Sequence, residues 1–166
     1  MIEQNNNTEA SRIVFLDVDG VLNSYLWTVR PKTIEESQGD PDLDPVAINL
    51  LNEFTQTFDL KVVISSDWRI SSYCIPRLKN AGVRNIIDTT PVTIFQTRNN
   101  KIHFTRGEEI QLWLDAHPEV ENFVIFDDRE DFEQLNHYVK VDSYRGLTQE
   151  DIQKAIEILS KINLEN

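Results

Sequence analysis

Cysteine is almost missing from this chain: Cys74 stands alone, so no intrachain disulfide can form and a reducing, cytoplasmic setting is the expectation. Histidine is nearly as scarce. His103, His117 and Cys74 have no partners at ligand spacing, which argues against a zinc-type centre and leaves them surface or packing roles. Long hydrophobic runs are absent too, and no window approaches the ~18 apolar residues of a membrane span. The opening "MIEQNNNTEAS" is polar and acidic rather than basic then apolar, which argues against a secretory signal. Positive charge is in deficit: 16 Lys and Arg face 28 Asp and Glu, a net charge of −12. That balance disfavours nonspecific attraction to nucleic acid or anionic membranes. No internal repeat occurs, and the only low-complexity stretch is the Asn run at 5–7.

The chain does contain enough for a substantial core: 166 residues, 40% hydrophobic and 27% charged, ordinary values for one globular domain. Residues 1–10 read as a flexible tail and 11–166 as a single domain. Residues 12–16 form the first apolar run, "RIVFL", a short buried strand. A long loop follows, and Asp44 and Pro45 make an N-cap and first-turn pair. Val46, Leu50, Leu51 and Phe54 then share one helical face. Further strands are expected at 60–65, 83–87, 122–128 and 138–142. Helices are expected over 71–80, with Gly82 as the stop, and after Thr105, where Glu108 completes a capping box ahead of Ile110, Trp113 and Leu114. A last amphipathic helix is capped at Thr148 and apolar at Ile152, Ile156, Leu159 and Ile162. Residues 88–104 read as an irregular excursion.

Strands alternating with helices predict a three-layer α/β/α Rossmann-like domain with a mainly parallel sheet. Sites in such sheets lie beyond the carboxyl ends of the strands. Three apolar strands here run into polar clusters: Asp17/Asp19, Ser65/Ser66 and Asp127/Asp128. A parallel sheet brings all three to one edge.

Close carboxylates without a His or Cys cluster make a hard-oxygen site, suited to Mg2+. The cation would let Asp17 stay ionised despite burial. A carboxylate so held can attack phosphorus and give an aspartyl phosphate. Asp19, two residues on, points to the same side and lies further out, where it can protonate a leaving oxygen and later deprotonate water. Gly20 supplies permissive backbone that turns the chain away from the phosphate. Ser65, or Ser66 in its place, can donate to a phosphoryl oxygen. Arg106 opens a helix, where cation and helix N-terminus together favour an anion.

"FLDVDGVLN" resembles the first motif of the haloacid dehalogenase (HAD) superfamily, DxDGxLx. "VVISS" is similar to the second motif, "RGEEIQLWL" occupies the place of the basic third, and "FVIFDDRED" resembles the acidic fourth. With their flanking elements these four motifs cover roughly residues 12–160, and together with "SSDWR" and "GLTQED" the pattern more narrowly resembles the HAD domain of Swiss-Army-Knife RNA repair proteins. The resemblance implies a phosphatase with Asp17 as nucleophile and Asp19 as general acid/base, and with Ser65 and Arg106 on the phosphate. It implies Mg2+ held by Asp17, the main-chain carbonyl of Asp19, and Asp128, with Asp127 beside it. The third motif usually carries Lys, so Arg106 is a departure, and Lys101 is the fallback.

The segments 24–60 and 88–104 are too short for a large cap domain. An open site suits a bulky phosphorylated substrate, such as a polynucleotide end or a nucleotide, although the acidity argues against nucleic acid. Rival readings stand beside this one. A lone DxD can be a solvated strand end, a calcium loop or a glycosyltransferase motif, and a HAD-like chain can be an idle binding module or one subunit of a repair assembly. Arg106 could merely pair with Glu109. Ser66, Asp67 and Arg69 read as architectural, Trp68, Trp113 and Phe126 as core, and Asp131 as a brace for the metal site or a helix start.

Overall fold

Residues 11–96 and 101–165 are described by the computed structural model, with side chains described over 12–93 and 104–161. The tail expected at 1–10 lies outside them. Strand β1 (Ser11–Leu16) is the centre of a five-stranded sheet, because its four apolar residues Ile13 to Leu16 need cover on both faces. It pairs in parallel with β2 (Leu60–Ile64) and β6 (Val120–Asp127), and β3 (Ile86–Thr89) and β7 (Tyr138–Lys140) close the two sides. The order is β3-β2-β1-β6-β7, all parallel, as the alternating pattern predicts.

Two one-turn helices, α1 (Tyr25–Val29) and α2 (Ile34–Gln38), precede α3 (Pro45–Thr57), so the stretch between β1 and β2 holds no large cap. Asp44 caps α3 by accepting from the Val46 amide at 2.8 Å. Ala47, Ile48, Leu51, Phe54 and Thr55 face inward, while Val46, expected on that face, is exposed. Val46 lies about 140° around the helix from Leu51, which puts it outside the buried stripe. Helix α4 (Cys74–Asn80) starts three residues later than the sequence predicts, after a 3-10 turn over Asp67–Ile70. Pro76 then falls in its first turn, where a missing N–H is tolerated. Strand β3 is likewise shifted from 83–87, because Asn85 adopts φ +60° and the strand begins only beyond that turn.

The excursion at 88–104 contains a two-stranded antiparallel pair, β4 (Ile94–Gln96) with β5 (Lys101–His103), rather than irregular chain throughout. Thr105 and Glu108 form the expected capping box of α5 (Arg106–Ala116). Thr148 and Asp151 bond reciprocally at the start of α6 (Gln149–Glu165). Alternate residues of β1 feed two cores. Val14 and Leu16 pack with Leu51, Phe54, Leu78, Ile152 and Leu159 on one face, and Ile13 and Phe15 with Ile110, Trp113 and Phe132 on the other. Trp68 is half-buried at the margin of the first core rather than inside it.

The segment after β7 returns to the loop after β1. The amides of Tyr25, Leu26 and Leu147 donate to the carbonyls of Ser143, Tyr144 and Val21, at 2.9 to 3.0 Å. Tyr25 and Tyr144 stack with ring centroids 5.4 Å apart. Gly146 makes the approach possible: it has φ +77°, and a Cβ there would lie 2.9 Å from the Ser24 Cβ. Among the described residues no helix is long and apolar enough to cross a membrane.

Candidate active site

Strand register assembles the site. Leu16 pairs with Ile64 of β2 and with Phe126 of β6, so the next residues, Asp17, Ser65 and Asp127, arrive side by side at the carboxyl edge. The ladder runs one step further: the Asp17 amide donates to Phe126 at 3.0 Å and the Ser65 amide to Leu16 at 2.9 Å. Main-chain bonds therefore fix Asp17, which is buried.

Carboxylate oxygens of Asp17, Asp127 and Asp128 lie within 4.8 Å of one another. Burial and crowding both act on two of them. Burial, and then the Asp17 charge, push the Asp127 carboxyl up to about 6 in spite of Arg106, and the same two causes raise Asp128. Arg106 lies buried between the first two, its Nη1 2.6 Å from Asp17 Oδ1 and 2.9 Å from Asp127 Oδ2. Burial alone would lower the pKa of Arg106, but Asp17 and Asp127 outweigh it and the net shift is upward. Arg106 pairs with two of the three clustered carboxylates, and the charge of Arg129 acts on the third, Asp128, so the acids still outnumber the cations. The all-oxygen donor set and its excess negative charge fit Mg2+.

Arg106 comes to these acids because the Thr105–Glu108 box starts α5 beside the end of β6. Its pairing with Glu109 does not occur: Glu109 holds Arg69 instead. Arg106 Nη2 also reaches Asp67, at 3.2 Å, and Asp67 in turn holds Arg129 at 3.1 Å. The side chain of Lys101 lies outside the described residues. Asp131 is exposed in irregular chain, and no helix begins there.

The two serines separate. Ser65 Oγ is buried and has no hydrogen-bond partner among the described residues, whereas Ser66 Oγ accepts from the Trp68 amide as the cap of the 3-10 turn. An orphaned buried hydroxyl costs stability where it stands, on the order of 1–3 kcal/mol. Gly20 does more than turn the chain. At φ +76° it lies under Asp128, where a Cβ would come within 2.6 Å of Oδ2.

Asp19 is exposed, and its carboxylate is held by residues that sequence reasoning placed elsewhere or passed over. Trp68 Nε1 donates to both oxygens at 3.0 Å, and Asn23 Nδ2 donates to Oδ1 at 2.6 Å. The available signal was position. Trp68 and Asp67 follow Ser65 within three residues, beyond the end of β2, where a side chain reaches the carboxyl edge more readily than the core.

A parallel sheet with crowded carboxylates and a buried cation at the carboxyl ends of its central strands defines a HAD-like α/β domain. The chain belongs to the family of HAD domains in Swiss Army Knife RNA repair proteins, which it matches over residues 13–152. No curated protein matches the chain. Membership points to phosphohydrolase chemistry, and the acidic cluster is compatible with a metal ion.

Proposed function

We propose that this protein is a Mg2+-dependent phosphatase that acts through a phosphorylated Asp17. The convergence of Asp17, Asp127, Asp128 and Arg106 carries the proposal, since it pairs a fixed nucleophile with uncompensated carboxylates. Asp17, the main-chain carbonyl of Asp19, and Asp128 would hold the ion, with Asp127 beside them. When bound, Mg2+ supplies charge neutralisation and polarises the phosphoryl group. Asp17 attacks phosphorus while Asp19 gives a proton to the leaving oxygen. Asp19 then takes a proton from the water that cleaves the acyl phosphate. Ser65 is the phosphate donor of choice because its hydroxyl has no partner among the described residues, and Ser66 is left to cap its turn. Arg106 balances Asp17 and Asp127 and presents a cation to the phosphoryl group.

Polynucleotide ends and nucleotides are the substrate classes that family membership favours. Hydrolysis of an aryl phosphate with Mg2+, with chelator, and by Asp17→Asn tests the chemistry. Equal activity of wild type and Asp17→Asn would sink the nucleophile assignment. Inactivity on aryl phosphates and on phosphorylated oligonucleotides, nucleotides and phosphopeptides would move the protein to the binding-module class.

A further inference from the structure

We propose that Trp68 is a positioning residue for the proton-transfer carboxylate Asp19, and that Arg77 clamps Trp68 for this task. The inference rests on the reading of Asp19 as general acid/base. An exposed carboxylate on a loop has free rotamers, and a proton donor misplaced by ~1 Å can lose on the order of 100-fold in rate. The loop alone does not fix Asp19. Asn23 grips it locally, donating to Oδ1 while accepting from the Gly20 amide at 2.8 Å.

Trp68 comes from a different part of the chain and sets the direction in which the group points. Its single N–H is shared between both oxygens at 3.0 Å, which directs it along the bisector of the carboxylate. The indole is itself held from two sides: its body packs against the first core, and the Arg77 guanidinium lies 4.5 Å over the ring. Arg77 cannot drift, because Asp40 binds it through two nitrogens at 2.6 and 2.9 Å and Asp42 binds it at 2.5 Å. A continuous chain, Asp40/Asp42 to Arg77 to Trp68 to Asp19, thus joins the α2–α3 loop to the site. Packing explains the body of Trp68. It does not explain an N–H centred on a carboxylate at a sheet's carboxyl edge.

The test uses the full chain with Mg2+ and two substrates, p-nitrophenyl phosphate and β-glycerophosphate. The aryl leaving group departs without a proton, whereas the alkyl oxygen needs one. The ratio kcat/KM covers steps only through leaving-group departure, so it isolates the acid role of Asp19. Trp68→Phe keeps the ring and its stacking on Arg77. We expect it to lower kcat/KM about ten-fold or more on the alkyl ester and by less than about three-fold on the aryl ester. In an Asp19→Asn background the same change has no further effect. Arg77→Gln gives a smaller split of the same sign, and it carries the test alone if Trp68→Phe does not fold. Equal losses on both esters, or losses that add fully to those of Asp19→Asn, overturn the proposal. A split in Asp19→Asn without one in either other variant overturns the proposal alone. No split in Asp19→Asn overturns the acid/base reading and this inference with it.

Discussion

Arg69 and Arg106 stand on either side of Asp67 with side chains almost wholly buried, at 2% and 3% exposure, yet they are satisfied in opposite ways. Arg69 spends its donors on the main chain: the carbonyls of Ser65, Ser66, Thr90 and Pro91, with Glu109 as counter-ion. It ties the ends of β2 and β3 together, with Glu109 as its near counter-ion and Asp67 further off at 3.7 Å. Among the described residues Arg106 pairs with three carboxylates, Asp17, Asp67 and Asp127, and they outnumber it. A buried arginine saturated by carbonyls is a staple, and one that faces crowded acids maintains a charge imbalance. The first kind shapes the edge on which the second kind works.

Removing each arginine breaks the comparison most directly. Arg106→Ala should lower kcat on the order of 1,000-fold, and kinetics on an aryl phosphate measure it. A loss below about ten-fold would remove Arg106 from the phosphate site. Arg69→Met should instead act on the fold, leaving Glu109 unpaired at a cost of about 3–5 kcal/mol in denaturant unfolding. Mg2+ sharpens the contrast, since it should restore part of the stability lost in Arg106→Ala and none of that lost in Arg69→Met. Equal rescue of both variants would contradict the assignment.

A pH series addresses the same imbalance. The Asp127 carboxyl is pushed up to about 6, above its ordinary value. The stability tied to its protonated form is fully present below about pH 4 and is lost as pH rises through about 6. The gain in Tm from Mg2+ over chelator should therefore grow from about pH 5 to about pH 7. A flat difference would mean that no titrating carboxylate in that window binds the ion. The smallest effect concerns the serines. Ser66→Ala should cost about 1 kcal/mol as a lost cap with little effect on rate. Ser65→Ala should lower kcat/KM about ten-fold or more without loss of stability. A reversed pattern would exchange their roles.

The sequence made the sheet and its carboxyl edge legible because they follow from local rules. Apolar runs ending in Asp17, Ser65 and Asp127 need only parallel pairing to meet, and the register places them in one row. The capping boxes and the Asp44 cap were readable for the same reason. Partners across long separations were not legible. Nothing in the spacing of Arg106 distinguishes Glu109 from Asp17 and Asp127, since the choice depends on Arg69 reaching Glu109 first. Trp68 looked like core because indoles usually are, and its N–H finds Asp19 only once the turn after β2 is folded. The shift of β3 came from one residue with positive φ, Asn85, which no hydrophobic pattern records.

The clip between residues 143–147 and the loop after β1 has a consequence for how the protein is made. Asp17, Ser65, Arg106, Asp127 and Asp128 all leave the ribosome before the segment that steadies the loop carrying Asp19 and Gly20. A nascent chain that has reached β7 therefore holds every candidate reacting group without the strap that steadies the loop of Asp19 and Gly20. Competence should arrive late and abruptly, when Gly146 closes on Ser24. A premature stop just beyond β7 would give a domain with its carboxylates in sequence and its first loop adrift.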